Sequence, residues 1–431
     1  MAATEETALR GDGQTGNAHK ARGRLASRTF ASLAIPDYRT LWLGMLGMWM
    51  ALQFQQVARG YLAYKLTGSA LAIGIVTLSL GLPRIVFSLI GGVLADRVPK
   101  RTMMVVTLVG LAALSLLTAV LVQLQIIQIW MLVVIGLVQG TLFSFQLPAR
   151  QSLIPDLVDR EMLANAIALN NSGMTTMRVV GPAIAGLVIS IPLIGLPLAF
   201  YVVTIGYTWV LIATFRIRTT GAPAAKPRNG FMTDMNAGLR YIRRSAALVA
   251  LMTLGFIPIA IGMPYQNLMP VFALSVLNRG AVGLGLLLAA SGVGAVLGTL
   301  FIASISESIS KARLQLGLGV LFGLALVAFA FSSSQDMFFV ALATLVVAGF
   351  AGDAYLALNS TLIVLNTDAE LYGRVMAMYM MTQSVRPISV LPVSAIVDEV
   401  GAPLTMGLAG AIVVAFILGV TVLYSDYRKI G

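Results

Sequence analysis

Four ionisable residues interrupt long apolar runs: Arg84, Arg178, Arg386 and Asp353. A charge within hydrocarbon is costly, so such residues face a cavity or pair with one another. Three guanidiniums against one carboxylate leave a cationic interior, and a guanidinium fork suits carboxylate or catecholate oxygens. Asp353 adds proton chemistry, because a ligand competing for its arginine neighbour would drive proton uptake. The candidate binding residues are therefore Arg84, Arg178 and Arg386, joined by the polar Gln56 and Asn359, with Asp353 as candidate proton carrier. A structural alternative stands beside this reading. Gly181-Pro182 follows Arg178 and Pro387 follows Arg386, and each proline frees a helix carbonyl that a guanidinium can take. A permanent Asp353–Arg386 pair would likewise lock two helices. Arg59, close to Gln53, Gln55 and Gln56, reads as an interface or gating residue.

The segments that carry these residues are helices of membrane length. Hydrophobic residues make up 58% of the chain and charged residues 11%, against roughly 25% charge in soluble domains. Apolar runs long enough to cross a bilayer, about 20 residues each, recur from Leu41 to Leu423. Breaks between them give twelve helices, near 40–63, 70–95, 102–122, 128–147, 165–190, 193–215, 247–272, 281–305, 312–332, 337–362, 373–396 and 402–424. Arg84 precedes the end of the second run by twelve residues, which is ~18 Å along a helix and near mid-bilayer.

The halves repeat. Leu147-Pro148-Ala149-Arg150-Gln151-Ser152-Leu153-Ile154, then Asp159 and Glu161, matches Leu356-Ala357-Leu358-Asn359-Ser360-Thr361-Leu362-Ile363, then Asp368 and Glu370. The expected fold is all-α, twelve transmembrane helices in two parallel six-helix pseudo-repeats. The expected parts are a disordered tail over 1–35, bundles over 36–215 and 247–425, a linker over 216–246 and a tail over 426–431. Within the linker, Met232 to Arg244 has the pattern of an amphipathic surface helix with Leu239 and Ile242 toward lipid.

Charge distribution sets orientation. Lys and Arg crowd the N-terminal tail, the loop at 97–101, the linker and the C-terminus, while the loops near 123–127, 189–195 and 332–336 carry none. This pattern places both termini in the cytoplasm and the chain in the cytoplasmic (inner) membrane. It also argues against nucleic acid as the partner of the +12 net charge. There is no cysteine and a single histidine, His19, in the polar tail, so no cofactor or metal is expected. No H-E-x-x-H or D-x-x-x-D cluster lies in the spans, so no intramembrane enzyme is expected. The expected partners are the bilayer, a small-molecule substrate and protons, with the chain a monomer.

Gly92, Asp96, Arg97, Lys100 and Arg101 fall in the turn between the second and third runs. This segment resembles the G-x-x-x-D-R-x-G-R-R loop of the major facilitator superfamily, with Pro99 where the family prefers glycine. Pro148 to Val158, Leu163 to Asn170 and Arg178 to Gly186, with Tyr38 to Gly44, Leu66 to Ala70 and Tyr372 to Met376, resemble the branch containing the enterobactin exporter and macrolide-efflux proteins. The resemblance implies proton-coupled efflux by alternating access of an amphiphilic small molecule such as a siderophore, macrolide or other drug. It also leaves a lipid or lysophospholipid flippase open. It implies gating roles for Gly92, Asp96, Arg97 and Arg101, and Gly181-Pro182-x-x-x-Gly186 partly resembles an antiporter signature.

Overall fold

The computed structural model describes residues 31–219, 231–305, 310–368 and 370–423. The side chains at 88–93, 95–97, 231–237, 383 and 422–423 fall outside this description. The first six helices are α1 (Pro36–Thr67), α2 (Ala70–Arg97), α3 (Lys100–Gln123), α4 (Ile129–Leu157), α5 (Leu163–Ile189) and α6 (Gly195–Arg216). A linker helix, α7 (Phe231–Arg244), follows. The seventh crossing is segmented into α8 (Ala246–Ile257) and α9 (Tyr265–Val271), each followed by a π turn, Pro258–Gly262 and Phe272–Val276. Then come α10 (Gly280–Ser304), α11 (Lys311–Ser334), α12 (Phe338–Leu365), α13 (Tyr372–Gln383), α14 (Arg386–Val400) and α15 (Ala402–Leu423).

Ten of these helical stretches are long and apolar enough to cross a membrane. The others in the same layer are α1, which carries Gln53, Gln55, Gln56 and Arg59, and the interrupted pair α13–α14. Polar residues and a break remove them from a purely apolar criterion, and both border the central cavity. Residues Ala31–Ala34 form a 3-10 turn whose Ser32 is buried, with its N–H (3.1 Å) and hydroxyl (2.8 Å) both donating to Asn165 Oδ1.

The two halves use the same packing scheme. Small residues let α2 and α4 meet closely: a Cβ on Gly140 would lie 2.4 Å from the Leu80 carbonyl oxygen. In the second half the corresponding pair is α10 and α12, where a Cβ on Gly298 would lie 2.3 Å from the Phe350 carbonyl oxygen. Without a hydrophobic driving force between helices in lipid, such close approach is the main source of association. The seventh crossing departs from a plain helix because its prolines cannot complete the ladder. Met263 N–H instead reaches the Pro258 carbonyl at 3.0 Å, and Leu277 N–H reaches that of Phe272 at 2.8 Å. These wide turns rotate the face bearing Gln266 and Asn267 toward the cavity, a common placement for π turns.

The linker helix lies beside α13. Ile242 is buried, Gly238 packs beside Arg374 and Met378 of α13, and Tyr241 Oη accepts the Asp368 N–H at 3.2 Å. Among the described side chains of α7, Ile242 is covered and Leu239 partly so, while Arg240, Arg243 and Arg244 are exposed.

Candidate functional site

Both Pro36 and Leu423 lie on one side of the layer, the terminal side. On the opposite, distal side the two halves close on one another. Asp398 of α14 accepts hydrogen bonds from the Ala70 N–H (2.6 Å), the Leu71 N–H (3.0 Å) and the Ser69 hydroxyl, covering the start of α2. Along the same pair, a Cβ on Gly74 would meet Ser394 at 3.0 Å, and one on Gly81 would meet Pro387 at 2.1 Å. Ser69 to Gly81 spans ~18 Å of helix, so the closure is deep. A second seam joins α5 and α10. A Cβ on Gly285 would lie 2.7 Å from the Pro182 carbonyl oxygen, and one on Gly292 would lie 2.8 Å from that of Arg178. The Tyr64 and Ser275 hydroxyls hydrogen-bond across the same level at 2.5 Å.

Below this closure lie two adjoining chambers, each of about 320 Å³. They share Leu52, Gln53, Gln56, Gln266, Leu288 and Arg386. The distal chamber is further lined by Arg59, Arg84, Gln55, Asn267 and Phe143. The second chamber reaches toward the terminal side through Arg150 and Met174, and its wall carries Arg178, Asp353 and Trp49. Five arginines thus border the cavity against a single aspartate.

The expected residues separate into three groups. Arg84, Arg178, Arg386, Gln56 and Asp353 meet at the cavity. Asn359 does not. It is fully buried inside the second half, where Oδ1 accepts from Gln315 Nε2 at 2.8 Å and Nδ2 lies against Gly255. It points to the far face of α12, with Oδ1 bonded and Nδ2 without a hydrogen-bond partner. Gly92, Asp96 and Arg97 have side chains outside the described residues.

Asp353 pairs with Arg178, not with Arg386. Arg178 Nη1 and Nη2 donate to Oδ1 and Oδ2 at 2.8 and 3.0 Å, a two-pronged contact joining α5 of one half to α12 of the other. The side chains are 36% and 17% exposed, so water reaches the pair from the cavity. Arg386 stands nearby at the break between α13 and α14, with Nε unpartnered. Pro387 supplies no N–H to the ladder, and the two segments are separated at Ser384 and Val385, which keep right-handed helical dihedrals. Met263 and Met269, on the seventh crossing, are buried in helix packing. Met174 is the methionine on the wall.

Arg101 bonds within its own half, donating from Nε to the Thr214 carbonyl at 3.1 Å and from Nη2 to that of Phe215 at 2.5 Å. It closes the end of α6, whose last carbonyls lack partners within the helix. Lys100 pairs with Asp156 of α4 at 2.6 Å. Gly181 packs against the Gln53 side chain of α1, and Pro182 against α10, so both belong to the distal half of the interface.

Sequence reasoning missed Arg150 as a cavity residue and underused Arg59. Arg150 lies in the first copy of the internal repeat, opposite Asn359 in the second. The substitution of arginine for asparagine at matched positions was the available signal. Arg59 is buried at 4% exposure; it contacts Gln139 Oε1, which also accepts from Gln55 Nε2 at 2.7 Å, while Gln55 Oε1 accepts from the Tyr207 hydroxyl at 2.7 Å.

Comparison with known proteins agrees with this geometry. The chain is 23% identical to macrolide efflux protein A of Streptococcus pyogenes over 395 residues, covering 91% of this chain and 97% of that one. It is 21% identical to the staphyloferrin A transporter of Staphylococcus aureus over 377 residues, covering 86% and 91%. It is 25% identical to the enterobactin exporter of Citrobacter koseri over 281 residues, covering 64% and 62%. Among solved structures, a bacterial homologue of the iron transporter ferroportin in an inward-facing state superposes with TM-score 0.68 at 15% identity, over 91% and 98% of the two chains. The nucleoside transporter NupG superposes with TM-score 0.67 at 14% identity, over 91% and 99%. The family model described as transmembrane secretion effector matches residues 27–422, and the chain belongs to that family of major facilitator transporters.

Proposed function

We propose that this protein is a proton-coupled exporter of an amphiphilic, anionic small molecule, working by alternating access from the cytoplasmic membrane as a monomer with both termini in the cytoplasm. The observation that carries the reading is the cationic cavity at the interface of two matched halves, sealed on the distal side. With that orientation the described conformation faces inward. The names of the relatives, a macrolide efflux protein and two siderophore transporters, support export of large amphiphiles.

In this mechanism a ligand enters from the terminal side and draws on the arginines of the cavity. As it passes the second chamber its oxyanion competes with Asp353 for Arg178, and the freed carboxylate takes up a proton. Loss of the Arg178–Asp353 link between α5 and α12 removes a restraint holding the halves in one relation. The terminal-side junction of α2 and α3, with Gly92, Asp96, Arg97 and Arg101, then latches the opposite conformation, and Gly181 and Pro182 form the faces that separate.

The test is efflux from everted vesicles under an imposed pH gradient, with a fluorescent carboxylated amphiphile as cargo. Wild type should accumulate it in proportion to the gradient, and D353N should lose that dependence. Equal accumulation with and without a gradient would refute proton coupling. Scrambling of labelled lysophospholipid in protein-containing liposomes, with no movement of the soluble cargo, would favour a flippase.

A further inference from the structure

The arginine expected to be the main ligand group, Arg178, is already satisfied by both oxygens of Asp353. The unsatisfied guanidiniums lie in the distal chamber. Arg59 Nε and Nη1 are buried without partners, and so is Nε2 of the adjacent Gln139. Arg84 sits over the Phe143 ring, 4.6 Å from its centroid, and among the described residues has no hydrogen-bonding partner. Arg386 Nε is also unpartnered. No aspartate or glutamate lines this chamber.

An arginine offers five N–H donors in a fixed plane and no acceptor. Leaving several unmade in a low-dielectric site is costly, and the cost is relieved by an acceptor that carries charge. Between the guanidiniums the walls mix apolar side chains, among them Leu52, Leu80, Phe143 and Leu288, with the amides of Gln53, Gln56 and Gln266. Such a surface suits a ligand with one anionic end and an apolar or aromatic body. We infer that the distal chamber is an oxyanion subsite, in which Arg59, Arg84 and Arg386 hold the carboxylate or phosphate end of an amphiphile and its body extends over Phe143 and Leu288 toward the second chamber. This rests on the transport reading above and names where in the cavity the anionic end lies.

The consequence is an order of events. The anion is held beyond Arg178, next to the distal seal, so it occupies the part of the cavity that opens last. Arg386 borders both chambers and sits at the α13–α14 break, so the ligand contacts a movable junction as well as a fixed wall.

The test is binding to the purified full-length protein, which needs no transport. Probes are 1-naphthoate, its neutral analogue 1-naphthamide, phenyl phosphate and inorganic phosphate, read by titration calorimetry and by the thermal unfolding midpoint. Naphthoate should bind at least tenfold more tightly than naphthamide, since each charge-assisted hydrogen bond is worth roughly tenfold or more. R84Q, whose side chain faces the cavity, should weaken naphthoate about tenfold, and R59K should weaken it less than R59Q. R279Q, on an exposed ion pair with Asp336, should leave binding unchanged. A larger response to phenyl phosphate than to naphthoate would identify phosphate as the preferred end. Equal binding of naphthoate and naphthamide, naphthoate affinity unchanged in R84Q, or inorganic phosphate alone matching naphthoate would overturn the proposal. Charge-selective binding without efflux would instead leave the subsite standing and refute export.

Discussion

The carboxylate of Asp398, near the end of α14, accepts the backbone N–H of Ala70 at the start of α2, 2.6 Å away and in the other half of the molecule. One side chain thereby satisfies free donors at a helix start, which ordinarily fall to a residue of the same helix. Ser69, the local residue in that position, makes no cap of its own and bonds to Asp398 instead. The distal closure is therefore a cap supplied in trans by the opposite bundle.

Replacing Asp398 with alanine removes three hydrogen bonds from this junction at once. Bonds to a charged group contribute roughly 1.5–3 kcal/mol each, so the population should shift toward a distally open state. The chain contains no cysteine, which permits unique spin labels at the exposed Leu66 and Val400. Their distance distribution should lengthen in D398A, and an unchanged distribution would show that helix packing alone holds the closure.

The Arg178–Asp353 pair should behave as a coupled unit. R178Q or D353N alone leaves one charge at the cavity wall without its partner and should lower the unfolding midpoint. The double variant should recover part of that loss. A double-mutant cycle should return about 1–3 kcal/mol of coupling, reduced from the fully buried case because water reaches the pair. Additive single effects would mean that the contact contributes no net stability.

Gly81 should tolerate no side chain. A Cβ there would overlap Pro387, so G81A should separate α2 from α14 and G81L more so. The expected results are loss of efflux and a longer Leu66–Val400 label distance, with the protein still inserted in the membrane. Full efflux in G81L would show that the closed contact is not visited during transport.

Asn359 provides the opposite kind of test. N359A removes the buried bond that Gln315 Nε2 donates to Oδ1 and leaves space beside Gly255, and should cost roughly 1–3 kcal/mol of stability. Affinity for 1-naphthoate should stay within about twofold, because the residue is outside the cavity. A tenfold loss in affinity at unchanged stability would return Asn359 to the binding site.

The sequence was informative where physics acts along the chain and less so where it acts between segments. Apolar run length marked most spans, and the match between 147–154 and 356–363 marked the repeat. The direction of Asn359 was not legible, because α12 is apolar on nearly every face and offers no stripe to orient it. The partner of Asp353 was not legible either. Arg178 and Arg386 occupy matched helices, and choosing between them depends on how the two halves meet. Pro387 signalled a distorted helix, but only the packing of Gly81 against it showed that the distortion lies in the seam. Arg101 was assigned from loop chemistry, although its nearest acceptors belong to α6, far away in sequence.

The α5–α10 seam is made of Gly186, Gly285, Gly292 and the carbonyls of Arg178 and Pro182, so it places backbone against backbone. Glycine loses no rotamer freedom when it is covered. Opening such a seam releases no trapped side chains, and reclosing it does not require any to be reordered. A seam of interlocked leucines would have to solve a packing problem at every cycle. Here the two surfaces can part and rejoin in a single register, which suits a contact that must be made and broken many times.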